Sequence, residues 1–187
     1  RLRYRLHKQI YNHPAVKAYE YMIADVFRLI DSELKICDTI DDPVQFIKYT
    51  DSILDVIEFL PETDTITEAK SIIHRMKTRN LYSFIGEYVI HDKNEFIEKK
   101  KAMNEELIRK NMKEQLIIHE MNIGLSGSGT NPIDSIRFYD KHDDNIKIHP
   151  SDISLFIGSQ CREFSFRFFV RDGDFVKDIK ELIHTIM

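Results

Sequence analysis

Apolar residues at three- and four-residue spacing dominate the first half of the chain and give way to shorter, alternating runs in the second. In AVKAYEYMIADVFRLIDSELKI, the residues Ala15, Ala18, Met22, Val26, Leu29 and Ile30 form one stripe of an α-helix. Asp41-Asp42-Pro43 then supplies a cap followed by proline in a first turn. Val44, Ile47, Ile53, Leu54 and Ile57 are expected to carry the next buried face, which Pro61 stops. A third helix is expected over Thr65 to Lys77, with Thr65 and Glu68 spaced as a capping box.

From Asn80 the pattern changes. LYSFIGEYVI has the aromatic and β-branched content of a strand, with Gly86 at a bulge or a close approach. EFIEKKKAMNEELIRKNM returns to helix, EQLIIHEMNIG reads as strand, and LSGSGTNP as loop. SIRFYD and NIKIHP are spaced as a hairpin through DKHDDN, and SDISLFIG as a short capped helix. REFSFRFFVRD alternates as a strand and DFVKDIKELIHTIM closes as an amphipathic helix. The order predicts an α+β fold: a helical segment over residues 1–79, then a lobe over 80–187 with an antiparallel sheet and flanking helices.

The 187 residues are 42% hydrophobic and 31% charged, an ordinary globular balance for a chain long enough to bury a core. A net charge of −4 gives no general attraction to nucleic acid, so any anion site must be a local cluster. Cys37 and Cys161 lie far apart without metal spacing, and are expected to be buried thiols in a reducing compartment. With no signal peptide and no apolar run near the ~18 residues needed to span a bilayer, a cytoplasmic or nuclear protein without membrane contact is expected. The start at RLRYRLHK, without an initiator Met, suggests a piece of a longer protein.

LHKQIYNHPAVKAYEYM is the densest polar and aromatic stretch. Arg3, His7 and Tyr11 are four apart, so one helix over residues 2 to 12 would put all three on one face. Such a column suits a phosphorylated, ring-bearing ligand, because Arg forks onto phosphate oxygens and Tyr packs against a sugar or base. The same spacing suits a half-buried helix face with amphipathic residues at its rim, and spacing alone leaves both readings open. Pro14 forces a kink, or a restart with Asn12 as cap, and leaves His13 at the bend, aimed at another surface.

Other candidates are weaker. His91-Asp92 and His142-Asp143 fall in polar turns, not on the helix that an HD-type metal site requires. GLSGSGT lacks the GK[ST] of a P-loop, and there is no GxSxG elbow. His74, Arg75, Lys77 and Arg79 crowd a helix C-terminus, where the dipole already favours cations. Arg167 and Arg171 share a strand face, expected to be solvated.

Taken in order, RxxxLHxxxYxHPAVKAYEYMIADVF, TIDDPVQFIKYTDSIL, RNLYSFIGE, NPIDSIRFYDK and RFFVRD resemble the SAM- and HD-domain deoxynucleoside triphosphate triphosphohydrolases of eukaryotes. The resemblance implies that residues 1–79 are the C-terminal helices of the HD-type catalytic core and 80–187 a regulatory and oligomerisation lobe. It implies hydrolysis of deoxynucleoside triphosphates to deoxynucleoside and triphosphate by the intact protein. The metal ion (Zn, Fe, Mn or Mg) would be held by ligands outside this sequence, leaving the piece alone inactive.

Carried position by position, the resemblance implies that Arg3 binds triphosphate oxygens, His7 is a catalytic-site histidine, Tyr11 packs on deoxyribose and base, and Asn12 stands where a base-facing Gln occurs. It implies an allosteric nucleotide site with His13, Arg79 and Arg171, a GTP or dNTP activator, and a homodimer or homotetramer. Gln9, Pro14 and Ser83 replace basic residues of that regulatory site, so different activators, or assembly without nucleotides, are also expected. A non-catalytic oligomerisation or single-stranded nucleic-acid-binding module on the same scaffold is the alternative.

Overall fold

Proline and its neighbours set the first break in the chain. The computed structural model describes residues 2–90, 93–124 and 162–186 and has the α+β class expected. Helix α1, Leu2–Leu6, runs into a π-helical turn over His7–Tyr11 instead of continuing as one α-helix to residue 12. Pro14 explains the interruption: it biases His13 to extended backbone (φ −61°, ψ 137°), and α2, Pro14–Leu34, restarts there. The cap of α2 is His13 rather than Asn12, since His13 Nδ1 accepts from the Ala15 N–H at 3.2 Å. The expected stripe of α2 is buried at Ala18, Met22, Val26 and Ile30.

Two short helices follow, α3 over Pro43–Phe46 and α4 over Ile53–Phe59, in place of one continuous buried face. Asp42 caps α3 as expected, with Oδ1 accepting from Val44 and Gln45. Four residues are too few to reach the core, so Val44 and Ile47 are 69% and 77% exposed while Ile57 is fully buried. Helix α5, Asp64–Lys77, starts one residue earlier than expected. Thr63, not Thr65, has the extended backbone a cap requires, and its Oγ1 accepts from the Ile66 N–H at 3.3 Å.

Strands β1 (Ser83–Ile90), β2 (Leu116–Gly124) and β3 (Arg162–Val170) form an antiparallel sheet in the order β1-β3-β2. The register of β1 on β3 shifts between Phe84 and Gly86, the bulge expected at that glycine. Helix α6, Lys93–Arg109, lies between β1 and β2 in sequence, and α7, Val176–Ile186, follows β3. The loop, hairpin and short helix expected across residues 125–161, both His-Asp pairs and Cys161 lie outside the described residues. Cys37 was expected to be buried but is exposed, because it sits in a surface turn whose N–H bonds Asp31.

Helices cover both faces of the sheet. On one side Phe169 and Ile117 join Met22, Val26 and Ile30 of α2 and Ile66, Ile73 and Met76 of α5. On the other, Phe166, Phe168 and Val170 pack with Met103 and Leu107 of α6 and Ile179, Leu182 and Ile183 of α7. β3 is thus a central strand with large apolar side chains on both faces, which period-two alternation toward water does not anticipate.

Two stability outcomes follow from this packing. Phe169→Ala should destabilise the protein by about 3–5 kcal/mol in denaturant unfolding, the usual loss for a buried aromatic, because Phe169 is fully buried between sheet and helices. Arg79 closes α5 at φ 62°, a left-handed position that glycine adopts without strain. Arg79→Gly should therefore raise the denaturation midpoint, by roughly 1 kcal/mol of stability.

Candidate functional site

The π turn carries the first group of expected site residues. Widening the helix there bonds the Asn12 N–H to the His7 carbonyl at 3.1 Å and leaves His7 and Tyr11 adjacent, ring centroids 6.5 Å apart and edge-to-face at 75°. Both rings are exposed. Arg3 lies on the preceding turn, within α1, and its side chain lies outside the described ones. Asn12 does not face outward. It is 9% exposed and folds back on His7, with Nδ2 2.9 Å from the His7 carbonyl oxygen and 2.9 Å from His7 Nδ1.

Behind Asn12 stands a polar row across the sheet: Glu87 of β1, Arg167 of β3 and His119 of β2 are register partners. Arg167 was expected on a solvated face, yet it is 3% exposed, because the helices cover that side of β3. Its Nε donates to Glu87 Oε2 at 3.1 Å and its guanidinium donates to the Asn12 carbonyl. Those acceptors make a buried charge tolerable where an isolated one is not. Glu87 Oε1 is buried with no partner among the described residues. At the far end of the row, His119 Nδ1 and the Tyr21 hydroxyl share a 2.7 Å hydrogen bond. Burial, then the charges of Lys17 and Arg167, hold His119 below the ordinary histidine range against the pull of Glu20.

Arg171 belongs to a second corner. Its Nε and a terminal nitrogen grip the two oxygens of Asp25 at 2.7 and 3.2 Å, and its other terminal nitrogen donates to the Glu114 carbonyl. The Tyr82 hydroxyl donates to Asp25 at 2.9 Å, and the guanidinium groups of Arg75 and Arg171 lie 5.3 and 6.0 Å from the Tyr82 ring centre. Burial by itself would raise the Asp25 carboxyl, but bonds from Arg171, Tyr82 and Arg28 and the Arg171 charge hold it below the usual carboxylate range. Arg75 links this corner to the end of α5, donating to the carbonyls of Asn80 and Arg171.

His7, Tyr11 and Asn12 are therefore assembled, and Arg171 is tied through Arg75 to the end of α5, where Arg79 follows the helix. His13 is exposed at the start of α2, and no hydrogen bond or ion pair among the described residues joins it to Arg79 or Arg171. Sequence reasoning missed His119, Tyr21, Glu87 and Asp25, and placed Arg167 on a solvated face. One signal was present: Asp25 interrupts the apolar stripe of α2 beside Met22 and Val26, where a carboxylate needs a partner. Arg167 is thus buried, and Arg171 is held by Asp25.

Among the described residues, no group of three or more His, Cys, Asp or Glu side chains could hold a metal ion. The described residues do not fit such a centre. Among the same residues, no helix is long and apolar enough to cross a membrane.

No family model matches the chain. Curated relatives do. Over 189 residues the chain is 30% identical to the deoxynucleoside triphosphate triphosphohydrolase SAMHD1 homolog of Dictyostelium discoideum, covering 99% of this chain and 37% of that protein. It is 31% identical over 163 residues to an HD domain-containing protein of Acanthamoeba polyphaga mimivirus, covering 76% and 34%. It is 29% identical over 192 residues to the deoxynucleoside triphosphate triphosphohydrolase SAMHD1 of Bos taurus, covering 90% and 32%. The chain is a homologue of SAMHD1-type deoxynucleoside triphosphate triphosphohydrolases and of HD-domain proteins. It spans about a third of the length of these relatives.

His119 gives the site a pH signature. Its imidazole binds a proton more weakly in the fold than in the unfolded chain, whose histidines titrate near pH 6.5. Stability is thus complete above about pH 6.5 and falls as pH drops toward the folded value. His119→Gln should flatten that slope of the denaturation midpoint, while Asp25, held low, continues to lose stability only in the acid range below about pH 4.

Proposed function

We propose that the protein to which this chain belongs hydrolyses deoxynucleoside triphosphates to deoxynucleosides and inorganic triphosphate, with the π turn forming one wall of the substrate site. The supporting observation is the exposed, edge-to-face His7–Tyr11 pair, held on a buried platform, in a chain homologous over nearly its full length to proteins named for that reaction. In this reading Tyr11 packs its ring on the deoxyribose and base, His7 sits beside it against a substrate oxygen, and Arg3 binds triphosphate oxygens as a fork. In this reading any metal that takes part is held by residues other than the described ones.

Regulation is a second part of the proposal. His13 and Arg79, both exposed, and Arg171 contact an activating nucleotide, and the lobe carrying the sheet contributes to a homo-oligomer. Arg171 enters this role at the expense of Asp25, since both fork positions are engaged by that carboxylate in the fold described above. A nucleotide phosphate would compete with Asp25 for the same guanidinium.

Incubating the intact protein with each dNTP, GTP as activator and a divalent metal should release inorganic triphosphate, read by ion chromatography. Tyr11→Ala should raise KM roughly 10-fold or more, the worth of one base or sugar stack. His7→Ala should lower kcat with a smaller effect on KM. An absence of triphosphate from every dNTP under these conditions would overturn the proposal.

A further inference from the structure

The contacts of Asn12 determine where the proton sits on His7. A carbonyl oxygen only accepts, so the atom of Asn12 that lies 2.9 Å from the His7 carbonyl must be the amide nitrogen, not the oxygen. That same nitrogen lies 2.9 Å from His7 Nδ1. Facing a donor, Nδ1 must present its lone pair, which leaves the ring hydrogen on Nε2. A doubly protonated ring would set an N–H against the amide hydrogens and forfeit this contact. Of the two neutral tautomers, the arrangement selects the one with its hydrogen on Nε2.

The amide can impose that choice only if it cannot turn away. Asn12 is 9% exposed, which confines its amide, and its backbone carbonyl accepts from the guanidinium of Arg167, itself 3% exposed and paired through Nε with Glu87, which anchors the main chain from which the amide projects. The sheet thus fixes Asn12 and Asn12 fixes His7. We infer that Asn12 and Arg167 are positioning residues that hold His7 as a neutral Nε2–H donor to a substrate oxygen, so that it serves as a hydrogen-bond donor and not as a base through Nδ1. The inference rests on the proposed reading of His7 as substrate-facing.

The test uses the intact protein carrying ¹⁵N-labelled histidine, with the His7 signals assigned by their loss in His7→Gln. The wild type should show Nε2 protonated and Nδ1 bare. Asn12→Asp leaves the Arg167–Glu87 pair in place but puts an acceptor against Nδ1, so the proton should move to Nδ1. Its kcat for triphosphate release should fall roughly 10- to 100-fold, the worth of one charge-assisted hydrogen bond, with KM little changed. Arg167→Met with Glu87→Met removes both buried charges together, which protects folding, and should leave a mixture of His7 tautomers. An Nε2–H pattern that persists in Asn12→Asp overturns the inference, as does a switched tautomer with unchanged kcat. The tautomer readout is obtained whether or not triphosphate is released, so failure of the hydrolase reading and failure of this one are told apart.

Discussion

A charge inside a sheet that helices cover on both faces is the constraint around which this molecule is arranged. Arg167 sits on the central strand, between Phe166 and Phe168 in sequence and two residues from Phe169 on its own face. Removing a guanidinium from water is tolerated only where acceptors meet it. Here they come from different parts of the chain: the Glu87 carboxylate on the neighbouring strand and the Asn12 carbonyl ahead of α2. Satisfying one buried cation therefore fixes the approach of the first helices to the sheet. An apolar residue at this position would pack, but would leave that approach to less directional contacts.

Helix α2 is the element the two polar corners share. Its N-terminal end adjoins the π turn, Tyr21 reaches His119 on the edge strand β2, and Asp25, one turn further on, receives Arg171 from the end of β3. The candidate substrate wall and the candidate regulatory corner thus hang from one helix and one strand. A change in how α2 lies on β3 would be felt at both.

Much of the fold was legible in the sequence because periodicity reports burial. The α2 stripe, the three strands, the bulge near Gly86 and the final amphipathic helix all follow from it. Where it failed, the physics differs. Val44 and Ile47 fit a helical stripe, but a four-residue helix has no length with which to bury them. Arg167 fits the polar half of an alternating strand, but alternation says which residues share a face and not whether that face meets water. At the site, adjacency of His7 and Tyr11 followed from spacing, whereas the π turn and the inward fold of Asn12 did not. Those depend on Pro14, whose presence announces a break without saying how the preceding turn absorbs it.

The π turn has one further implication, for how such a site diverges. A π turn fits one more residue into a helical turn than an α-helix would hold. A descendant lacking one residue between Leu6 and Asn12 would close the same stretch with ordinary α-helical bonds, with no loss of regularity. The α turn that replaces it sweeps nearly the same angle with one residue fewer, so α1 would keep its orientation. Deletion and insertion, more than substitution, would then be the coarse adjustment of this surface. A single codon gained or lost would decide which side chain of this turn stands beside Tyr11 while leaving α1 in place.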